Sequence, residues 1–373
     1  MKIAVISSHT PSIFWFRMDM MKSFQKNGCE VIAIGNESEE VWSQKFSENG
    51  IRYIKADIIR NGTNPLNDLA TLKSLYSIIK AEKPDKLFIY QAKTVIYGGI
   101  AAKLNGIDEI YSLIAGLGSV FLNTGTKAKL LQTILKAEYK LSLSFSKKVF
   151  FQNPDDTDFF VSNKLVNKDK IVMINGSGVN LEKFNVLPLP KKPAFLCISR
   201  LIKDKGVCEY LDAARIVKKD NPDIRFLLVG PYDTNPSAIK PEELQKYIDD
   251  GTIEYFGEQS DVRPYIEQCS VYVLPSYREG TPKTVLEAMA CGRAIITTDA
   301  PGCRETVTDK VNGVLVPVKN VPILAEKMNE LIKASDIVIN MAKAGRQIVE
   351  EKYDVELVNK VICQTMDIHG AKK

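Results

Sequence analysis

A chain of 373 residues is too long for one ordinary hydrophobic core and suits two domains. With 45% hydrophobic and 25% charged residues it has globular composition. No apolar run reaches the length of a membrane span and no secretory segment is read after Met1, so neither an integral membrane protein nor an exported one is expected. The net charge of +5 favours anionic ligands or an acidic lipid surface without demanding either, and seven cysteines without a C-x-x-C pair point to reduced cytoplasmic thiols, not to disulfides or a zinc site.

Short apolar strands alternate with helical patterns from the start. Expected strands in the first half are Ile3–Ser7, Glu30–Ile34, Tyr53–Ala56, Leu87–Tyr90, Ile110–Ile114, Lys148–Phe151 and Ile171–Ile174, with periodic segments such as Pro65–Glu82 and Val95–Asn105 between them. Ile13-Phe14-Trp15-Phe16-Arg17 reads as an apolar loop after the first strand; it either lines an acceptor groove or packs, and Arg17 could meet an acceptor phosphate. Ala115-Gly116-Leu117-Gly118-Ser119 lacks the third glycine of a dinucleotide fingerprint and follows a late strand, so a dehydrogenase is a poor reading; a Gly-rich acceptor loop and a plain turn both stay open. Thr126–Lys148 reads as a basic amphipathic helix, which either touches anionic lipid or packs with a solvated lysine face. His9 and His369 lack metal-ligand spacing, and no G-x-S-x-G elbow supports a hydrolase.

A break follows at Asn185–Pro193, where three prolines and two lysines read as a linker. The alternation resumes with Ala194–Ser199, Arg225–Val229, Ile253–Phe256, Val271–Leu274, Ala294–Thr297 and Gly313–Val316, and Val321 to about His369 is mostly helical. The expected architecture is therefore α/β. Two doubly wound Rossmann-like domains, 1–185 and 194–352, would face each other across a cleft, joined by a linker at 186–193, with a C-terminal helix at 353–373 returning to the first domain.

Chemistry concentrates in the second half. Glu279 and Glu287 stand eight positions apart in Glu279-Gly280-Thr281-Pro282-Lys283-Thr284-Val285-Leu286-Glu287, across an expected loop-to-helix junction with Pro282 at the first helical position and Thr281 as cap. The amide-rich helix start is an anion site, and Glu287, flanked by Val285, Leu286, Ala288, Met289 and Ala290, is a buried acid in need of a donor such as a ribose hydroxyl. Arg200 and Lys205 follow the first strand of the same domain and can clamp a diphosphate, with Asp204 capping the helix near Gly206. Gly178, Gly230 and Gly257 end or follow strands, where a ligand can approach the backbone.

These residues carry a resemblance. Arg200-x4-Lys205, Gly178-Val179-Asn180-Leu181-Glu182-Lys183-Phe184, and the run from Glu279 through Glu287 to Gly292 are similar to the retaining, nucleotide-sugar-dependent glycosyltransferases of family four, which have the GT-B fold. Gly116-Leu117-Gly118-Ser119 and Asp299-Ala300-Pro301-Gly302-Cys303-Arg304-Glu305 sharpen it toward bacterial enzymes that extend a sugar on undecaprenyl diphosphate, N-acetylgalactosaminyltransferases above all. The resemblance implies that Glu279, Arg200 and Lys205 are catalytic. It implies that Glu287, Gly280, Thr281, Pro282, Lys283, Thr284, Gly178, Gly230 and Gly257 bind a UDP-sugar donor. Arg17, Lys93, Gly116, Gly118 and Ser12 would meet a lipid-linked saccharide. It implies no metal or other cofactor, no nucleic acid, and a peripheral place on the inner leaflet of the cytoplasmic membrane. Two departures stand out. The loop after the first strand, Ser7-Ser8-His9-Thr10-Pro11-Ser12, lacks glycine, and Tyr90-Gln91-Ala92-Lys93 stands where many members carry a histidine. An epimerase on a similar scaffold, or a non-catalytic two-lobed binding protein, are the alternatives.

Overall fold

The computed structural model describes residues 1–59, 62, 64–117, 121, 125–234 and 237–369. They form two compact units. The first is Met1–Ser177 with Val355–Lys373, the second Gly178–Asp354.

The first unit holds seven strands: β1 (Lys2–Ser7), β2 (Glu30–Gly35), β3 (Arg52–Lys55), β4 (Lys86–Tyr90), β5 (Ile110–Ile114), β6 (Lys148–Phe151) and β7 (Ile171–Met173). All neighbouring pairs are parallel, in the order β3-β2-β1-β4-β5-β6-β7. Alternate side chains of a strand point to opposite faces, so continuous apolar strands need cover on both. Ile3 and Val5 enter one core with Phe88, Tyr90 and Phe150, while Ala4 and Ile6 enter another with Leu87, Ile89 and Leu75. The covering helices are α1 (Thr10–Lys26), α2 (Glu39–Ser47), α3 (Pro65–Glu82), α4 (Gly99–Leu104), α5 (Thr126–Phe145) and α6 (Pro154–Ser162).

The second unit repeats the plan with six parallel strands: β8 (Ala194–Ile198), β9 (Arg225–Val229), β10 (Glu254–Tyr255), β11 (Val271–Leu274), β12 (Ala294–Thr298) and β13 (Gly313–Val316). Their order is β10-β9-β8-β11-β12-β13. Phe195 and Cys197 join one core, and Leu196 and Ile198 the other. Its helices are α7 (Val207–Asp220), α8 (Pro241–Asp249), α9 (Arg263–Glu267), α10 (Lys283–Ala290), α11 (Val321–Ile332) and α12 (Ser335–Ile348). The last helix, α13 (Val355–Thr365), places Val358, Ile362 and Cys363 in the first unit's core.

In both sheets the strand order reverses beside the first strand, between β1 and β4 and between β8 and β11. Those are the switch points at whose carboxyl edges ligands of such sheets bind.

Two expectations are corrected. The expected linker at 186–193 lies within the second unit, and the chain changes unit at 177/178 and 354/355 instead. The proline-rich stretch is pinned because Leu187 N–H donates to the Cys291 carbonyl, and the buried Arg293 guanidinium donates to the carbonyls of Leu187 and Pro188. The segment Ile13–Arg17 is helix, not loop. Pro11 fits the first turn, and Ile13, Arg17, Met20, Met21 and Phe24 recur on the buried face of α1.

Candidate functional site

The carboxyl ends of β8 and β11 are tied to each other through backbone. After β8 the chain makes a 3-10 turn, Lys203–Lys205, and enters α7 through Gly206 at φ 72°. A Cβ on Gly206 would overlap the Pro275 carbonyl, so only glycine permits this approach. Asp204 does not cap α7. Its carbonyl accepts from Tyr277 N–H at 2.9 Å and from the Ser276 hydroxyl at 3.2 Å, which locks the two loops in register. Lys205 is thereby set opposite Glu279: its ammonium donates to Oε1 at 2.5 Å and to Oε2 at 2.6 Å. Both side chains are mostly buried, 21% and 12% exposed, so the pair is only partly screened by solvent.

The loop after β12 supports the acid from behind. Glu279 N–H donates to the Pro301 carbonyl at 2.9 Å, and Gly302, at φ 81°, lies so close that a Cβ would overlap the Glu279 and Gly280 carbonyls. Thr297 and Thr298 hydroxyls donate to the carbonyls of Leu274 and Ser276.

Arg200 sits five residues before Lys205, where its Nη1 donates to Asp233 Oδ2 at 2.7 Å. Asp233, on the loop after β9, carries no motif and escaped the sequence reading. Gly230 follows β9 at φ 145° against the Ser199 carbonyl, where a side chain would overlap, and its N–H donates to the carbonyl of Gly257 at 2.8 Å. Both glycines therefore hold the loops after β8, β9 and β10 close together.

The second acid lies on α10. The helix begins at Lys283 with Pro282 as its N-cap (φ −73°, ψ 107°), so Pro282 stands one place earlier than expected, and Thr281 supplies no cap. The Pro282 carbonyl instead accepts from Val285 and Leu286 N–H. Gly280 and Pro282 are buried and Thr281 half-buried beside it. The Thr284 hydroxyl accepts from Tyr272, whose ring is fully buried. Glu287 is 9% exposed, and its carboxylate has no hydrogen bond or ion pair among the described residues. Burial raises its pKa above the ordinary glutamate value, Lys283 and Lys183 oppose that, and Asp261 adds to it. Lys183 is positioned by Asn180, whose Oδ1 accepts from the N–H groups of Glu182 and Lys183 at 3.0 Å each. Gly178 starts this segment at φ 68°. Glu279 and Lys205 thus form one constellation with the approach to α10. Arg200 pairs with Asp233 across the loops after β8 and β9, and Glu287 lies within α10 itself, where Lys183 acts on it electrostatically.

In the first unit, Ser12 lies on the first turn of α1. Its hydroxyl contacts the Tyr90 hydroxyl at 2.9 Å and that of Ser7 at 3.2 Å. Arg17 is 4% exposed, against the rings of Tyr90 and Phe88. Lys93 is paired with Asp68 of α3 and lies over the Tyr97 ring. Gly116 follows β5 at φ 113°, while Gly118 lies outside the described residues. His9 is the N-cap residue of α1. Among the described residues, no group of three or more His, Cys, Asp or Glu is placed to hold a metal ion.

Comparison with known proteins agrees with the fold. Residues 2–153 match the family model "Glycosyl transferase 4-like", and residues 192–334 match "Glycosyl transferases group 1". The chain is 32% identical, over 97% of its length and 99% of the relative's, to the N,N'-diacetylbacillosaminyl-diphospho-undecaprenol alpha-1,3-N-acetylgalactosaminyltransferase of Campylobacter jejuni. It is 24% identical, over 78% of its length and 76% of the relative's, to the UDP-Gal:alpha-D-GlcNAc-diphosphoundecaprenol alpha-1,3-galactosyltransferase of Escherichia coli. Among solved structures, a glycosyltransferase from Rickettsia africae aligns at TM-score 0.78 and 21% identity over 98% of each chain. Anabaena HepE in complex with UDP-glucose aligns at TM-score 0.78 and 16% identity, over 98% of this chain and 99% of that one. The chain belongs to the group 1, or family-four-like, glycosyltransferases and has the GT-B fold. It is an enzyme of sugar transfer, so the readings as an epimerase or as a non-catalytic binding module fall away.

Proposed function

We propose that the protein is a retaining glycosyltransferase that needs no metal. It moves N-acetylgalactosamine from a UDP-sugar to a polyprenyl-diphosphate-linked saccharide in surface polysaccharide or glycan assembly. The observation that carries this reading is the Lys205–Glu279 pair, seated at the carboxyl edge of the β8/β11 switch point on the approach to α10. The likeness to the Campylobacter jejuni enzyme supports the choice of sugar and acceptor.

Breaking the bond between the anomeric carbon and the diphosphate oxygen leaves negative charge on the departing UDP and positive charge on the sugar ring. Fixed cations at the departing group lower the barrier. Lys205, Arg200 and the amide-rich first turn of α10 take that role, and so do the work that a divalent ion does in other enzymes. Glu279 holds donor-sugar hydroxyls, and Glu287 accepts from the ribose. The acceptor hydroxyl attacks from the face the diphosphate leaves. A new carbon–oxygen bond forms there as the old one breaks, and the proton passes to the leaving phosphate, so configuration is retained.

The acceptor belongs to the first unit. No described helix is long and apolar enough to cross a membrane. The α5 surface supports a peripheral place on the inner leaflet: Leu130, Ile134 and Leu141 stand 65%, 47% and 52% exposed, beside exposed Lys127, Lys129 and Lys140.

Mass spectrometry of a synthetic polyprenyl-diphosphate saccharide incubated with UDP-N-acetylgalactosamine tests the reading. A product heavier by one N-acetylhexosamine, in α linkage and formed equally in a strong chelator, is expected. Absence of product with any UDP-sugar, or its dependence on added magnesium, contradicts it.

A further inference from the structure

Arg17 is a cation in the wrong place for a scaffold residue. It lies on the sheet-facing side of α1 and is 4% exposed; its guanidinium bonds the Tyr90 hydroxyl, while its Nε is buried without a hydrogen-bond partner. Among the described residues it has no ion pair. An arginine cannot shed its proton in a protein, so its burial must be met by an anion or be left costly. The rings of Phe88 and Tyr90, 5.9 and 5.2 Å from the guanidinium carbon, soften that cost without neutralising the charge.

Its surroundings are those of an anion site. The side chain of a helical residue leans toward the helix N-terminus, here toward the carboxyl edge of β1 and β4, the switch point of the first sheet. Hydroxyls and an amide gather there. Ser7 and Ser8 donate to Gln91 Oε1 at 2.9 and 2.6 Å, Gln91 Nε2 donates to Ser12 Oγ at 3.3 Å, and Ser12 meets the Tyr90 hydroxyl. Gln91 is held at φ 71°, a conformation rare for a residue with a side chain. The 17-residue helix α1 carries no acid in its own first turn, so no carboxylate of that turn offsets the positive end of its dipole. A planar guanidinium fork beside a helix start matches phosphate oxygens.

We propose that Arg17, with the hydroxyl and amide cluster of Ser7, Ser8, Ser12 and Gln91, binds the diphosphate of the lipid-linked acceptor. This deepens the acceptor assignment above and rests on it. It gives the first unit its own diphosphate site at the β1/β4 switch point, distinct from the donor's site at β8/β11. The loop that lacks glycine is then no defect, because its serines and the arginine supply the anion contacts.

Calorimetric titration of inorganic pyrophosphate into the protein saturated with UDP separates the two sites. The wild type is expected to bind one pyrophosphate. Arg17→Met should weaken this by at least about tenfold, and Arg17→Lys by less, because it keeps the charge but loses the fork. Uptake of no pyrophosphate by the wild type, or equal affinity in Arg17→Met, overturns the site. If Arg17→Met fails to fold, as its melting curve will show, Arg17→Lys carries the test, and wild-type affinity in it overturns the proposal. The anion's source is read from kinetics. Arg17→Met should raise KM for a diphosphate-linked saccharide by about tenfold or more, while KM for the UDP-sugar and for a phosphate-free glycoside of the same saccharide stays unchanged. An equal rise for both acceptors overturns the assignment. Pyrophosphate binding that depends on Arg17, in an enzyme with no activity on diphosphate-linked acceptors, supports the anion site and overturns the acceptor reading instead.

Discussion

The ammonium of Lys205 reaches both carboxylate oxygens of Glu279, at 2.5 and 2.6 Å, across 74 residues of chain. A bond of this kind sets two functional groups at once. On the proposed function, the lysine is held where a departing diphosphate needs charge, and the carboxylate where sugar hydroxyls need an acceptor. A donor bound as proposed would set its phosphate oxygens in competition for the lysine and its sugar hydroxyls in compensation of the acid.

Replacing Glu279 by Gln keeps its size and removes its charge. Transfer should fall by about 100-fold or more in kcat, as for loss of one preorganised polar contact to a transition state. UDP should bind at least as tightly as before, because Lys205 is released from its carboxylate. Steady-state kinetics with calorimetry of UDP checks both halves; a kcat within about threefold of wild type refutes the role.

Glu287 carries a trade between stability and binding. Its folded pKa is raised by burial, so the ionised form is penalised only in the native state. That penalty is present above the folded pKa and disappears as pH falls through it. Glu287→Gln should therefore melt higher than wild type at neutral pH, by about 2–4 °C for each kcal/mol recovered, and the advantage should shrink on acidification. The same variant should bind UDP about tenfold or more weakly, since a bond to a charged acceptor is lost. Melting curves across pH and UDP titration decide; equal melting at all pH values with unchanged UDP affinity would contradict it.

Gly302 and Gly251 make a matched pair, with φ 81° and 71°. Alanine at either strains the backbone by roughly 1–2 kcal/mol. At Gly302 the new Cβ also meets the carbonyls of Glu279 and Gly280, whereas at Gly251 nothing lies within 4 Å. Gly302→Ala should lose about tenfold or more in kcat by displacing the acid, a small misplacement being enough. Gly251→Ala should lose only stability. Equal activity in both would mean that the loop after β12 does not position Glu279.

Changing Lys127, Lys129 and Lys140 to Glu should reduce pelleting with anionic vesicles, each lysine near such a surface being worth about 1 kcal/mol. Lys136 is left out because it donates to Asn163 Oδ1 at 2.8 Å and packs over Phe159. Undiminished pelleting would leave α5 as scaffold.

The central strands, such as β1, β4, β5, β8, β11 and β12, were readable because each is a short apolar run buried on both faces and bounded by turn residues. The loop–helix junction at Glu279–Glu287 was readable because a proline and a carboxylate among apolar neighbours are rare together. Asp233 was not, since it joins Arg200 only through the adjacency of β8 and β9. The helical nature of Ile13–Arg17 was hidden by its run of aromatic residues, which looks the same in a loop or a buried strand until Met20, Met21 and Phe24 are seen to continue one face. The pinned segment 186–193 was misread for a similar reason: its prolines announce a break, but Arg293, about a hundred residues away, holds it.

In the proposed function, Lys205 and Arg200 recognise the diphosphate of the donor. Calorimetry of UDP and of uridine, with wild type and the Arg200→Ala/Lys205→Ala double variant, tests it most directly. Wild type should bind UDP about 100-fold or more tightly than uridine, in keeping with charge-assisted bonds to phosphate, and this gap should collapse in the double variant while uridine binding persists. An undiminished gap in a folded double variant would contradict it.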